Sequence, residues 1–318
     1  MEIIDIIIVV IIAIFGGLVA KKIGFPAVVG QLIAGVILGP VMPLYVVHGS
    51  DLMHFFAEIG VYLLMLMAGL ETDMRLLQRN IKPAAWVAIL GVILPFAVFT
   101  GVGLVITDLN TALFWGIVFA ATSISITIAV LGEFGALGSR AGSVVLGAAV
   151  LDDIFAMAMV AIYALFASTS GMGVTTLLPL LFFALGVILT RFEKLNFHKL
   201  EQLGNWTVIP LFFGSLGLEV SLHNIQNTWL LIIILSLFAL LTKYLGALAG
   251  VWLGGLPKSD WQVVSLGMIP RGEMALIIAQ IGLSASIINQ ATFSEMAIVI
   301  IISTIIPPVL LRRALLHR

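Results

Sequence analysis

An all-α protein that crosses a membrane many times is the fold class the sequence predicts, on three observations. Of its 318 residues, 61% are hydrophobic and only 10% are charged, with a mean hydropathy of +1.22. A soluble domain has no interior large enough to hide that much apolar surface. Apolar runs of about 20 residues, the length that crosses the hydrocarbon core, recur along the whole chain. Almost all Lys and Arg then fall in alternate gaps between those runs, as cytoplasmic loops require.

The runs lie at roughly 3–20, 25–45, 53–70, 83–106, 111–132, 142–166, 174–190, 206–222, 228–253, 261–283 and 293–311, about eleven transmembrane helices. They are too long and too uniformly apolar for the alternating strands of a membrane barrel. The first run has no basic leader and is followed at once by Lys21 and Lys22, so it reads as a span and not a removed signal. Basic residues follow the odd-numbered spans: Arg75, Arg79 and Lys82 after the third, Arg140 after the fifth. Arg191, Lys194 and Lys199 follow the seventh, Lys258 the ninth, and Arg312, Arg313 and Arg318 the last. This places the N-terminus outside and the C-terminus in the cytoplasm. Lys243 and Arg271 are the two exceptions. All six tryptophans (86, 115, 206, 229, 252 and 261) are expected near span ends, where an amphipathic ring suits the interface.

The net charge of −1 argues against nucleic acid as a partner. The absence of cysteine excludes disulfides and thiolate chemistry. The five histidines, His48, His54, His198, His223 and His317, form no cluster and lie near loops or span ends.

A repeat links Leu66-Met67-Ala68-Gly69-Leu70-Glu71, ending the third span, with Gly214-Ser215-Leu216-Gly217-Leu218-Glu219, ending the eighth. On this topology the copies run in opposite directions, the inverted-repeat construction common among secondary transporters. The repeats are expected at about 1–166 and 174–318, within one membrane domain and with no soluble regulatory domain.

The chemistry concentrates in a few intramembrane charges. Asp152 and Asp153 fall near the middle of the sixth span, Lys243 within the ninth, and Arg271 and Glu273 near the centre of the tenth. Each charge costs about 2.5 to 3.5 kcal/mol to bury in a bilayer, so they must pair or line a cavity. Adjacent aspartates are hard to justify as packing. They point about 100° apart on a helix, and such carboxylates can exchange a proton for a small cation. Lys243 is the natural counter-charge for Asp152. A dehydrated cation needs further oxygens, and Thr122, Ser123 and Ser125 in the fifth span offer them, a donor set suited to a hard ion such as Na+. Pro270 and Gly272 make a regular helix doubtful in the tenth span. Glu273 there suits the positive N-terminal end of a half-helix and Arg271 a negative C-terminal end.

These residues resemble those of the monovalent cation:proton antiporter superfamily, in the branch of Kef-like and bacterial Na+/H+ exchangers. The resemblance rests on Val29-Gly30-Gln31-Leu32-Ile33-Ala34-Gly35-Val36-Ile37-Leu38-Gly39-Pro40, the Gly-Leu-Glu after the third span, Leu151-Asp152-Asp153, Phe212-Phe213-Gly214-Ser215-Leu216-Gly217-Leu218, Lys243, and Pro270-Arg271-Gly272-Glu273. It implies an antiporter fold with two crossed discontinuous helices, here the fifth and tenth spans, and a homodimer in the prokaryotic inner membrane. It further implies Asp153 as the carrier of ion and proton and Asp152 as the partner of Lys243. An Asp-Asp pair is the version associated with electrogenic exchange of Na+ or Li+ for H+ by alternating access, with no cofactor and no enzyme activity.

The alternatives are a K+/H+ antiporter, although Kef-like systems carry Gln-Asp and a soluble tail, and a Na+-coupled symporter of related fold, which would not need the aspartates with Lys243. An intramembrane protease would need its aspartates on separate helices, and no channel selectivity motif appears. Family members usually have more spans, and the second half shows no evident counterpart of the Gly-Gln-Leu-Ile-Ala-Gly stretch.

Overall fold

A computed structural model describes residues 2–41, 51–71, 80–123, 125–166, 174–189, 203–204, 206–220 and 225–316. Among the described residues there are thirteen helices and no strand. They run α1 (Glu2–Lys22), α2 (Ala27–Leu38), α3 (Asp51–Glu71), α4 (Ile81–Ile106), α5 (Leu109–Ala120), α6 (Ser125–Glu133) and α7 (Arg140–Phe166). There follow α8 (Val174–Leu189), α9 (Val208–Glu219), α10 (Ile225–Leu253), α11 (Lys258–Gly267), α12 (Glu273–Ser284) and α13 (Gln290–Leu316). Several of the loop charges, Arg75, Arg79, Arg191, Lys194, Lys199 and Arg318, lie outside the described residues, as do His48, His198, His223, His317 and the His54 side chain.

The chain divides into two compact units, residues 1–72 with 173–226, and residues 73–172 with 227–318. The first holds α1, α2, α3, α8 and α9. Its apolar outer faces, such as Ile4, Ile11 and Phe15 on α1, are exposed, as lipid contact requires. Inside it, one helix contact occurs twice. Gly217 of α9 crosses α2 at Gly35, and Gly69 of α3 crosses α8 at Gly186. A Cβ added at Gly217 would stand 2.7 Å from the Gly35 Cα, and one at Gly69 2.9 Å from the Gly186 Cα. Backbones approach this closely in membranes only over glycine or similarly small residues.

Gly69 and Gly217 are the glycines of the two Gly-Leu-Glu copies, and their partners both begin Gly-Val-Ile-Leu, at 35–38 and 186–189. The seventh span, α8, therefore stands to α3 as α2 stands to α9, which corrects the expectation that the second half lacks this counterpart. Among the described residues α8 has no neighbour like α1, which meets α2 with Gly16 against Gly30. At the positions matching Gly30 and Ala34, α8 carries Leu181 and Leu185, 60% and 44% exposed.

The second unit holds α4 to α7 and α10 to α13. Helix α10 packs on α4 through Gly246, Gly250 and, just past its end, Gly254, which face Leu90, Val87 and Pro83. This small-residue stripe fixes the height of Lys243, one turn earlier on α10. At one end of the unit, Arg140 at the start of α7 binds the buried Asp260 of α11 at 2.8 Å. There too Arg312 of α13 binds Glu133 of α6 at 3.0 Å. Trp115 departs from the interfacial expectation: it is 2% exposed inside α5, because that half-helix is enclosed by the unit, whereas Trp86, Trp206, Trp229 and Trp252 are exposed.

Candidate ion-exchange site at two broken helices

The fifth and tenth spans are each interrupted, in different ways. In the tenth, Pro270 has no N–H for the helix and disfavours helical backbone at Ile269, so α11 ends at Gly267 and α12 begins only at Glu273. In the fifth no proline or glycine intervenes. Here α5 stops at Ala120 before α6 resumes at Ser125, and the backbone between them bonds outside its own span. The two breaks meet: the Ser123 N–H donates to the Pro270 carbonyl at 2.9 Å. Gly272 permits the approach, since a Cβ there would stand 2.7 Å from both Cβ and Oγ of Ser123.

The broken ends carry the two charges singled out in the tenth span. Glu273 is the first residue of α12, and Ser123 Oγ donates to its Oε2 at 2.9 Å. Arg271 is fully buried. Its guanidinium reaches the carbonyl of Ala121, at the C-terminal end of α5, at 3.5 Å and that of Ala239 on α10 at 3.1 Å. The rings of Phe99 and Phe119 lie 5.8 and 5.5 Å from the guanidinium carbon. A cation at a half-helix C-terminus and a carboxylate at a half-helix N-terminus are the arrangement that the partial charges of those ends favour.

The aspartate pair lies on α7. Asp152 is fully buried, and Lys243 Nζ, also fully buried, donates to its two oxygens at 3.0 and 3.3 Å. Asp153, the next residue on the helix, is half-buried. Thr122 is 4% exposed, and its hydroxyl has no protein hydrogen-bond partner among the described residues. The Ser125 side chain lies outside what is described. The structure thus brings Asp152 together with Lys243, and Ser123 with Glu273, Arg271 and Gly272, all within one unit.

Comparison with known proteins places this arrangement. The sodium/hydrogen exchanger transmembrane family matches in two stretches, residues 8–192 and 180–316. The chain belongs to the sodium/hydrogen exchanger family. A Na+/H+ antiporter of Enterococcus hirae is similar to it at 33% identity over 98% of each chain. The Na+/H+-K+ antiporter GerN of Bacillus cereus is similar at 29% identity, over 93% of this chain and 92% of its own. The solved structure of the sodium proton antiporter MjNhaP1 from Methanocaldococcus jannaschii has the same fold, with a TM-score of 0.70 at 16% identity over 99% of both chains. This exchanger-family chain is therefore an integral membrane protein built on the antiporter fold.

The alignments with the Enterococcus and Bacillus relatives run over 376 and 355 positions, against 318 residues here. Each relative thus contains chain that this one lacks. The two matched stretches overlap at 180–192, at the end of α8, the helix that among the described residues has no neighbour corresponding to α1.

Contacts that sequence reasoning missed complete the site. Thr127 of α6 donates to the Gly267 carbonyl at 2.6 Å. Thr304 of α13 donates to the Arg271 carbonyl. Ala239, Phe99 and Phe119 hold the Arg271 side chain. Only the neighbouring hydroxyls Thr122, Ser123 and Ser125 pointed toward any of these, namely Thr127.

Proposed function

We propose that this chain exchanges Na+ or Li+ for H+ across the membrane by alternating access, and does so electrogenically. Asp153 is the carrier: its carboxylate holds either a proton or the cation. The oxygens of Thr122, Ser123 and Ser125 and the second carboxylate, Asp152, complete the cation's shell. In the state without cation, Lys243 occupies Asp152. An arriving cation competes for that carboxylate, and Lys243 must then leave it. If the freed ammonium also gives up its proton, more charge crosses with protons than returns with Na+. Arg271 and Glu273 hold the broken helix ends and do not carry the ion. The repeat boundaries at about 1–166 and 174–318, a homodimer, the prokaryotic inner membrane, and an outside N-terminus with a cytoplasmic C-terminus belong to the same reading.

The observation that carries it is the Asp152–Lys243 pair, in which both side chains are fully buried and bonded at 3.0 Å beside a second, half-buried aspartate. A buried ion pair is poor value as a stabiliser, whereas a pair that a competing cation can open is what exchange needs. The relatives named as Na+/H+ antiporters support the cation assignment. K+ as an additional substrate is the second reading, favoured by the likeness to GerN, which is named as a Na+/H+-K+ antiporter.

The test is reconstitution into vesicles holding a pH-sensitive dye, with Na+, Li+ or K+ added against an imposed proton gradient. Na+ and Li+ are expected to dissipate the gradient. If no cation does so, exchange is refuted; dissipation by K+ alone would make this a K+/H+ antiporter.

A further inference from the structure

The segment 268–272 links the half-helices α11 and α12. Its Met268 and Ile269 N–H groups still donate back to Val264 and Leu266, and the Gly272 carbonyl accepts from the Leu276 N–H, but the Pro270 and Arg271 carbonyls between these turn outward for their donors. Gly267, the last residue of α11, has one of the carbonyls that a helix end leaves without an intrahelical donor. In a bilayer interior an unsatisfied backbone group costs several kcal/mol, so each such carbonyl needs a donor from elsewhere. Three donors arrive from three different elements. Thr127 Oγ1 of α6 donates to the Gly267 carbonyl at 2.6 Å, the Ser123 N–H donates to that of Pro270 at 2.9 Å, and Thr304 Oγ1 of α13 donates to that of Arg271.

Two of the three are threonine hydroxyls on helices that carry none of the site's charges. Thr127 and Thr304 are 0% and 1% exposed. A buried helical threonine ordinarily bonds back to its own helix. Thr304 also reaches the Ile300 carbonyl, at 2.6 Å, yet its single proton has the Arg271 carbonyl within reach as well. Thr127 bonds to a residue 140 positions away. The anchored carbonyls flank the residues whose placement the site depends on. Arg271 follows Pro270, Gly272 touches Ser123, and Glu273 accepts from Ser123 Oγ.

We propose that Thr127 and Thr304 are positioning residues for ion exchange: their hydroxyls pin the two ends of the 268–272 segment and so hold Arg271, Glu273 and Ser123 in register for the cation. The inference rests on the exchange reading for its transport consequence and on geometry alone for the pinning. A neutral hydrogen bond of this kind is worth about 0.5–1.5 kcal/mol net. Its loss is therefore expected as a two- to about tenfold rise in the KM for Na+, with the maximal rate little changed.

The experiment compares wild-type protein with T127V, T127S, T304V and T304S, using two readouts. In dye-loaded vesicles, the valine variants should raise the Na+ KM and the serine variants, which keep the hydroxyl, should restore it. In detergent, hydrogen–deuterium exchange of the peptide covering 268–276 should quicken in the valine variants and return to wild-type behaviour in the serine ones. Wild-type KM and wild-type deuterium exchange in both valine variants would overturn the proposal. So would serine variants as impaired as the valine ones, since shape and not the hydroxyl would then be at work. If wild-type protein exchanges no cation, the transport reading fails, while the deuterium readout still decides the pinning. The two threonines are substituted separately, so one variant that fails to fold leaves the other to decide.

Discussion

Lys243 is a charge in an otherwise apolar span. An ammonium in a lipid-spanning helix must be paired, and Asp152 is the partner it finds. Removing one member of a buried pair leaves the other charge uncompensated, at a cost of about 3–5 kcal/mol. Lys243→Ala should therefore lower the unfolding temperature markedly in detergent. The double variant D152N/K243M, which removes both charges, should recover much of the loss. A Lys243→Ala protein as stable as wild type would mean that the pair is not closed in solution. These intramembrane charges were legible because each violates the rule of an apolar span. The long-range bonds of Thr127 and Thr304 were not legible, because a threonine in a helix has a local partner always to hand, and only the fold shows that Gly267 and Arg271 compete for it.

For the elements, the break in the tenth span was readable from Pro270 and Gly272, whereas the break in the fifth depends on the first, since the Ser123 N–H finds its acceptor at Pro270. Gly272 is the point of closest approach between them. Gly272→Ala would put a Cβ 2.7 Å from Ser123 and should destabilise the fold by about 1–3 kcal/mol, as overpacking does. Adding Ser123→Gly should relieve part of that in thermal melts; no relief would place the strain elsewhere. The other end of α5 is held by an N-cap. Asp108 Oδ2 accepts from the N–H groups of Asn110 and Thr111, and Thr111 Oγ1 donates to Oδ1 at 2.6 Å.

That Thr111 hydroxyl bond, with the backbone donors behind it, holds the Asp108 carboxyl below the usual aspartate range. A depressed carboxylate stabilises the fold above its unfolded pKa, about 3.9, and loses that contribution as pH falls through the lower folded value. Asp108→Ala should thus cost about 1 kcal/mol near neutral pH and progressively less in acid. An equal loss in strong acid would contradict the cap.

Across the whole chain, the alternation of basic loops and apolar runs gave the helical class, and the paired Gly-Leu-Glu motifs marked the two crossings inside the first unit. The match between α2 and α8 escaped sequence reading because it rests on four shared residues, Gly-Val-Ile-Leu, in spans that are otherwise merely apolar. Its geometry is unambiguous once Gly186 is seen against Gly69. The relatives' extra chain and the leucines exposed on α8 are consistent with a second half shortened beside that helix. The second unit, by contrast, contains both broken helices, the aspartate pair and Lys243 together.

The most direct measurement of that chemistry is the response of dye-loaded vesicles to Na+ with wild-type protein and with Asp153→Asn at equal amounts and equal thermal stability. Wild-type protein is expected to dissipate the imposed proton gradient, and the variant, which keeps the shape and loses the titrating carboxylate, to leave it standing. Exchange by the variant at the wild-type rate would contradict the assignment of Asp153 as carrier.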